Sequence, residues 1–100
     1  MVCMEIFISG IRKKDGRIDM VLAHFTSSSG HIYNNSELSL LSIIRYIDFI
    51  KADVFTYPLV GGKFKKGSRV IVVNETDGSQ YIRSVPDDVP ENNLDSLPDF

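Results

Sequence analysis

The chain has 100 residues, 43% of them apolar and 24% charged, which is the make-up of one folded domain with a core of its own and excludes a disordered or collagen-like chain. Its single cysteine, Cys3, rules out an internal disulfide. The formal net charge of −2 gives no overall attraction to polyanions.

The opening residues Met1 to Glu5 have no cationic stretch leading into an apolar run, so no signal peptide is expected. Arg45, Asp48 and Lys51 interrupt the richest apolar segment, so no membrane span is expected either. A cytoplasmic protein is the reading that follows. Positive charge gathers in Arg12 to Arg17 and in Lys63 to Arg69, and negative charge from Asp87 onward.

Met4 to Ile11 and Arg17 to Phe25 alternate in the two-residue period of half-buried strands. Between them Lys13-Lys14-Asp15-Gly16 is turn chemistry, and the pair predicts a hairpin. Thr26 to Asn35 shows no apolar period and predicts a polar connection. Asn35 or Ser36 can cap a helix that the pattern extends to about Ala52, with Leu40, Ile43, Ile44, Ile47 and Ile50 falling in one arc of about 120°. Leu38, Leu41 and Phe49 then lie on or near the charged side, as apolar surface that a single sheet contact does not use.

Val54 to Leu59 predicts a short edge strand, because it is rich in β-branched and aromatic residues and carries Pro58 near its end. Gly61 to Ser68 reads as a loop. Arg69 to Glu75 and Gln80 to Val85, joined by Thr76-Asp77-Gly78-Ser79, predict a second hairpin. The tail from Pro86 spaces Val89, Leu94, Leu97 and Phe100 as anchors and is expected to pack, with the spare helix face as one place for it. The fold class is therefore α+β: a mainly antiparallel sheet of four to five strands on one helix, in the order ββαβββ, with a small β-barrel carrying one helix as the alternative. Residues 1–100 read as one domain.

The ending Tyr81-Ile82-Arg83-Ser84-Val85-Pro86-Asp87, followed by Asn92-Asn93-Leu94 and Leu97-Pro98, resembles a family of short bacterial, archaeal and phage proteins catalogued as a domain of unknown function, number three-eight-nine-two. Ser84 stands where that family has Thr, and Asn92 where it has Asp. The resemblance implies the outline of the fold but no reaction, cofactor or partner. Independently of it, Arg83 with Asp87, Asp88 or Asp95, and Leu94 with Leu97, can fix the tail against the sheet through a bidentate ion pair and two apolar anchors.

Chemistry is sparse. Cys3, His24 and His31 lack the spacing of a metal site, and no cofactor is expected. Gly62 and Gly67 imitate the start of a phosphate loop, but Ser68-Arg69 follows where Lys and then Ser or Thr are required. Lys63, Phe64, Lys65 and Lys66 with Arg69 interleave an aromatic ring with cations, and Lys13 and Lys14 extend this candidate nucleic-acid surface if the two turns meet. Nothing singles out a nucleophile with an oxyanion site, so an enzyme with an unfamiliar site is the third reading. The first is a non-enzymatic module that offers a sheet edge, or Leu38, Leu41 and Phe49, to a protein partner or to a second copy of itself. The second is nucleic-acid binding.

Overall fold

The computed structural model describes residues 4–26, 32–86, 88–89 and 93–100, with backbone alone for 32–35. It is an α+β fold with one α-helix and mostly antiparallel pairing. β1 (Glu5–Lys14) and β2 (Arg17–Thr26) form the expected hairpin, turned by Asp15 and Gly16 at φ of 55° and 81°. Two successive left-handed residues match the twist of a two-residue hairpin turn, which is why Asp-Gly suits it.

Ile32–Ser39 is a third strand, β3, paired antiparallel with β2 from Thr26↔Ile32 to Met20↔Ser39. This corrects the polar connection and the early helix start. Asn35 and Ser36 have the chemistry of a helix cap, but the unpaired edge of β2 offers this segment a whole ladder of backbone hydrogen bonds, and tertiary pairing overrides local preference. The true cap is Ser39, whose Oγ accepts from the Ser42 backbone N–H at 3.2 Å.

Helix α1 is accordingly short, Leu40–Asp48. Lys51 in a left-handed conformation (φ 62°) turns the chain back so that the Ala52 N–H donates to the Tyr46 carbonyl at 2.9 Å. Ile43 and Ile44 are buried, and Leu40 and Ile47 pack partly against the core. Ile50 lies beyond the helix and is 56% exposed, so the expected ridge of five loses its last member.

β4 (Asp53–Thr56) runs parallel to β1, giving a mixed sheet in the order β3-β2-β1-β4. The direction follows from β3. One intervening helix returns the chain to the direction of the strand before it, and β3 already runs with β1. Two small hairpins complete the strands. β5 (Leu59–Val60) and β6 (Lys63–Phe64) turn at Gly61 and Gly62, inside what reads as a loop in the sequence. β7 (Val70–Asn74) pairs with β8 (Gln80–Ser84). A Phe55↔Arg69 bridge joins β7 to β4.

Alternation in β1 sends Ile6 and Ile8 to the inner face, where they meet Val21, Ala23, Ile43, Val54 and Ile82. A bulge at Ser9, between the pairs Ile8↔Ala23 and Gly10↔Leu22, shifts the phase so that Ile11 also points inward. The tail enters the same core through Leu94 and Leu97. It pairs with β1 at Ile11↔Asp99 and leaves Leu41 and Phe49 of the helix side 58% and 79% exposed. The 3-10 turn Leu94–Ser96 is capped twice: Ser84 Oγ accepts from the Leu94 N–H at 3.0 Å, and Asn93 Oδ1 from the Asp95 N–H at 3.1 Å. No helix among the described residues is long and apolar enough to cross a membrane.

Removing Leu94 from this core leaves a cavity between the tail and β8. Leu94→Ala is expected to lower the unfolding free energy by about 2–5 kcal/mol, whereas Leu41→Ala on the exposed helix side changes it by no more than about 0.5 kcal/mol. Urea unfolding of both variants checks this, and similar midpoints would contradict the packing described.

Candidate binding surfaces

The outer face of the main sheet gathers rings, whereas the inner face is mostly aliphatic apart from Phe25, which meets Tyr46 of the helix. Phe7 of β1 and Phe55 of β4 lie with centroids 6.0 Å apart. Tyr57, whose N–H donates to the Ile8 carbonyl at 2.7 Å, comes within 5.1 Å of Phe7. The β5–β6 hairpin folds over this cluster, so that Phe64 stacks on Tyr57 at 5.1 Å and 11°. The His24 ring sits 5.8 Å from Tyr57 and 6.4 Å from Phe64. Phe7 is buried beneath, while Phe64 remains half exposed.

Ser9 Oγ lies 2.6 Å from His24 Nε2. With the imidazole neutral and its proton on Nδ1, the Ser9 hydroxyl donates to Nε2. A hydroxyl held against an imidazole is half of an activated nucleophile, but no carboxylate among the described residues orients the other ring nitrogen. The pair instead ties the bulge of β1 to β2. Burial among rings disfavours the imidazolium and lowers the pKa of His24 from its ordinary 6.5.

The cations of the β5–β6 segment divide into two sets. Lys66 pairs with Glu5 at 3.2 Å and lies 4.0 Å from the centre of the Phe55 ring. Arg69 pairs with Asp53 at 2.7 Å and also faces that ring. Lys63 and Lys65 are exposed and have no ion-pair partner among the described residues. The first basic turn is not brought to them. Lys66 touches the first residue of β1 and Lys14 is its last, and ten residues at about 3.3 Å each put those ends about 30 Å apart. There Arg12 pairs with Glu37, Lys13 with Asp95 and Arg17 with Glu75, at 3.5, 3.5 and 3.8 Å.

A second surface lies along β8. Within the described sheets this strand pairs only with β7, so its other side is a free edge. The bonds from Glu75 N–H to Ser79 O and from Val85 N–H to Arg69 O mark the ends of the β7–β8 ladder. Antiparallel alternation then turns the backbone groups of Tyr81 and Arg83 toward β7 and those of Gln80, Ile82 and Ser84 toward the free edge. That edge borders a cleft of about 330 Å³ walled by Lys13, Arg17, Ile18 and Leu40 on one side and by Tyr81 and Arg83 on the other. Arg83 is exposed and has no carboxylate partner among the described residues: of its expected partners, Asp95 pairs with Lys13, Asp88 forms no ion pair with it, and Asp87 lies outside the described residues.

Of the three apolar residues assigned to a helix face, Leu38 is on β3 opposite Val21 and packs against the core, which corrects its placement. Leu41 and Phe49 remain exposed. Cys3 and His31 lie outside the described residues. Ser9 and Tyr57 carry no signal in the sequence, and His24 stands out there only as a metal ligand without the spacing of a site, because three segments distant along the chain supply this group.

A family model described as Protein of unknown function (DUF3892) matches residues 7–98, nearly the whole chain. The chain belongs to this family. No curated protein and no solved structure matches it significantly. In this DUF3892 chain Ile82 and Leu94 of the ending are core residues, and Ser84 caps the turn that follows.

The lowered pKa of His24 has a definite sign in stability. The folded protein takes up this proton less readily than the unfolded chain, so stability is full above pH 6.5 and declines as pH falls through the folded value. The melting temperature is expected to fall between about pH 7.5 and about pH 5.5 more steeply in the wild type than in His24→Gln. Equal slopes would remove His24 as the source.

Proposed function

We propose that this protein is a non-catalytic binding module that accepts an extended segment of a partner protein along the free edge of β8. The observation that carries the reading is the edge itself: Gln80, Ile82 and Ser84 point backbone donors and acceptors away from β7, and Gln80 and Ile82 border a cleft. An unpaired edge is a template for another strand, and main-chain hydrogen bonds supply affinity whatever the partner's sequence.

Selectivity comes from the walls. Three cations, Lys13, Arg17 and Arg83, face two acids, Glu75 and Asp95, leaving one positive charge in excess in a protein of net charge −2. The excess is at Arg83, a planar donor suited to bidentate capture of a carboxylate. Ile18 and Leu40 offer apolar contact beside it. The favoured ligand is therefore an extended segment that alternates an acidic with an apolar side chain.

Selection from a displayed library of random peptides tests this. Peptides with that alternation are expected to be enriched, to bind Arg83→Glu at least about fivefold more weakly, and to slow amide exchange at Gln80, Ile82 and Ser84. Binders that protect other amides, or no binders, would overturn the reading.

A further inference from the structure

The outer aromatic face is not used by the β8 edge, and its chemistry differs. Phe64 is laid on the sheet's outer face by a hairpin whose two glycines, Gly61 and Gly62, both adopt left-handed conformations (φ 60° and 81°). One face of its ring is taken by Tyr57 at 5.1 Å, and the side chain remains 50% exposed. A half-exposed Phe gives up the favourable burial of apolar area that a core position supplies, and here Tyr57 and His24 hold it in place, with Phe7 lying against Tyr57. On either side of it in sequence stand Lys63 and Lys65, both exposed and without ion-pair partners among the described residues. Lys66 and Arg69 are already held by Glu5, Asp53 and the Phe55 ring, so they set the frame of the hairpin rather than offering free charge.

From this juxtaposition we infer that the Tyr57–Phe64 stack is a platform for a base of single-stranded nucleic acid, with Lys63 and Lys65 on the flanking phosphates. Every base has a π-face, so stacking tolerates sequence, and flexible ammonium groups neutralise phosphates without fixing register. A duplex hides its base faces and does not fit a platform made of one raised ring. The absence of long-range attraction at net charge −2 means that the contact is local, short and sensitive to salt.

Fluorescence anisotropy of a labelled single-stranded oligothymidylate tests the proposal with the intact chain. Two phosphate contacts give a slope of log K against log salt of about −1.4, and Lys63→Ala or Lys65→Ala each reduces it by about 0.7. Phe64→Ala is expected to weaken binding at least about fivefold; it also removes the stack on Tyr57 and lowers the melting temperature, so affinities are compared well below both melting temperatures. Ring protons of Phe64 are expected to shift upfield as a base stacks on them. No salt-dependent binding, binding unaltered by Phe64→Ala, or tighter binding of the matching duplex would each overturn it. None of these outcomes bears on peptide binding at β8, which Arg83→Glu probes separately.

Discussion

The structure depends on β1 being used on both faces and both edges at once. Ile6 and Ile8 are fully buried on the inner face, Phe7 and Ser9 nearly so on the outer. One edge is occupied by β2 along its length. The other is shared: β4 pairs from Glu5 to Ile8, and the tail takes over at Ile11, whose N–H donates to the Pro98 carbonyl at 3.0 Å. Gly10 marks the changeover. A Cβ there would lie 3.2 Å from the Pro98 carbonyl oxygen and 3.4 Å from the Phe100 ring, so the absence of a side chain lets the tail lie a few tenths of an ångström closer to the strand. The bulge at Ser9 performs the matching adjustment on the other edge, returning Ile11 to the core after an odd step.

Much of this was readable in the residues, and the failures have a common origin. Both long hairpins were legible because two-residue alternation and Asp-Gly turns are local signals. So were the inner ridge of α1 and the anchors Leu94 and Leu97. The bulge at Ser9 was not legible: Met4 to Ile11 reads as plain alternation, and the step of three from Ile8 to Ile11 gains its meaning only beside β2. Neither was β3. Asn35 and Ser36 resemble a helix start, and only the free edge of β2 makes them strand. From that one displacement follow the parallel direction of β4, the shorter helix and the inward turn of Leu38. The place where the tail docks was equally hidden, because it rests on a glycine whose meaning appears only when Pro98 arrives beside it.

The binding surfaces divide in the same way. Lys63-Phe64-Lys65-Lys66 announces charge and an aromatic ring, but not that Tyr57 and His24 would build a stack around the ring, nor that Glu5 and Asp53 would occupy two of the cations. The β8 edge left no mark in composition, since an edge is defined by which strand fails to arrive. Gln80 to Ser84 reads as an ordinary strand, and its free side is a property of topology.

The ion pairs at the first hairpin matter less for stability than for separating these surfaces. Exposed pairs contribute about 0–1 kcal/mol each, and at 3.5–3.8 Å those of Arg12, Lys13 and Arg17 are not tight. Their effect is positional. Arg12 reaches the Phe100 backbone oxygen at 2.9 and 3.1 Å, lies 4.5 Å from the centre of its ring and pairs with Glu37, so one guanidinium ties the tail to β1 and β3. Lys13 ties the 3-10 turn to β1 through Asp95. With these charges engaged, and about 30 Å of strand between the two basic turns against a screening length of about 8 Å, the first turn adds nothing to the potential at Phe64. The positive field there is that of its own hairpin, and a short loop with two free ammonium groups is matched to a few nucleotides of flexible strand rather than to a long polyanion.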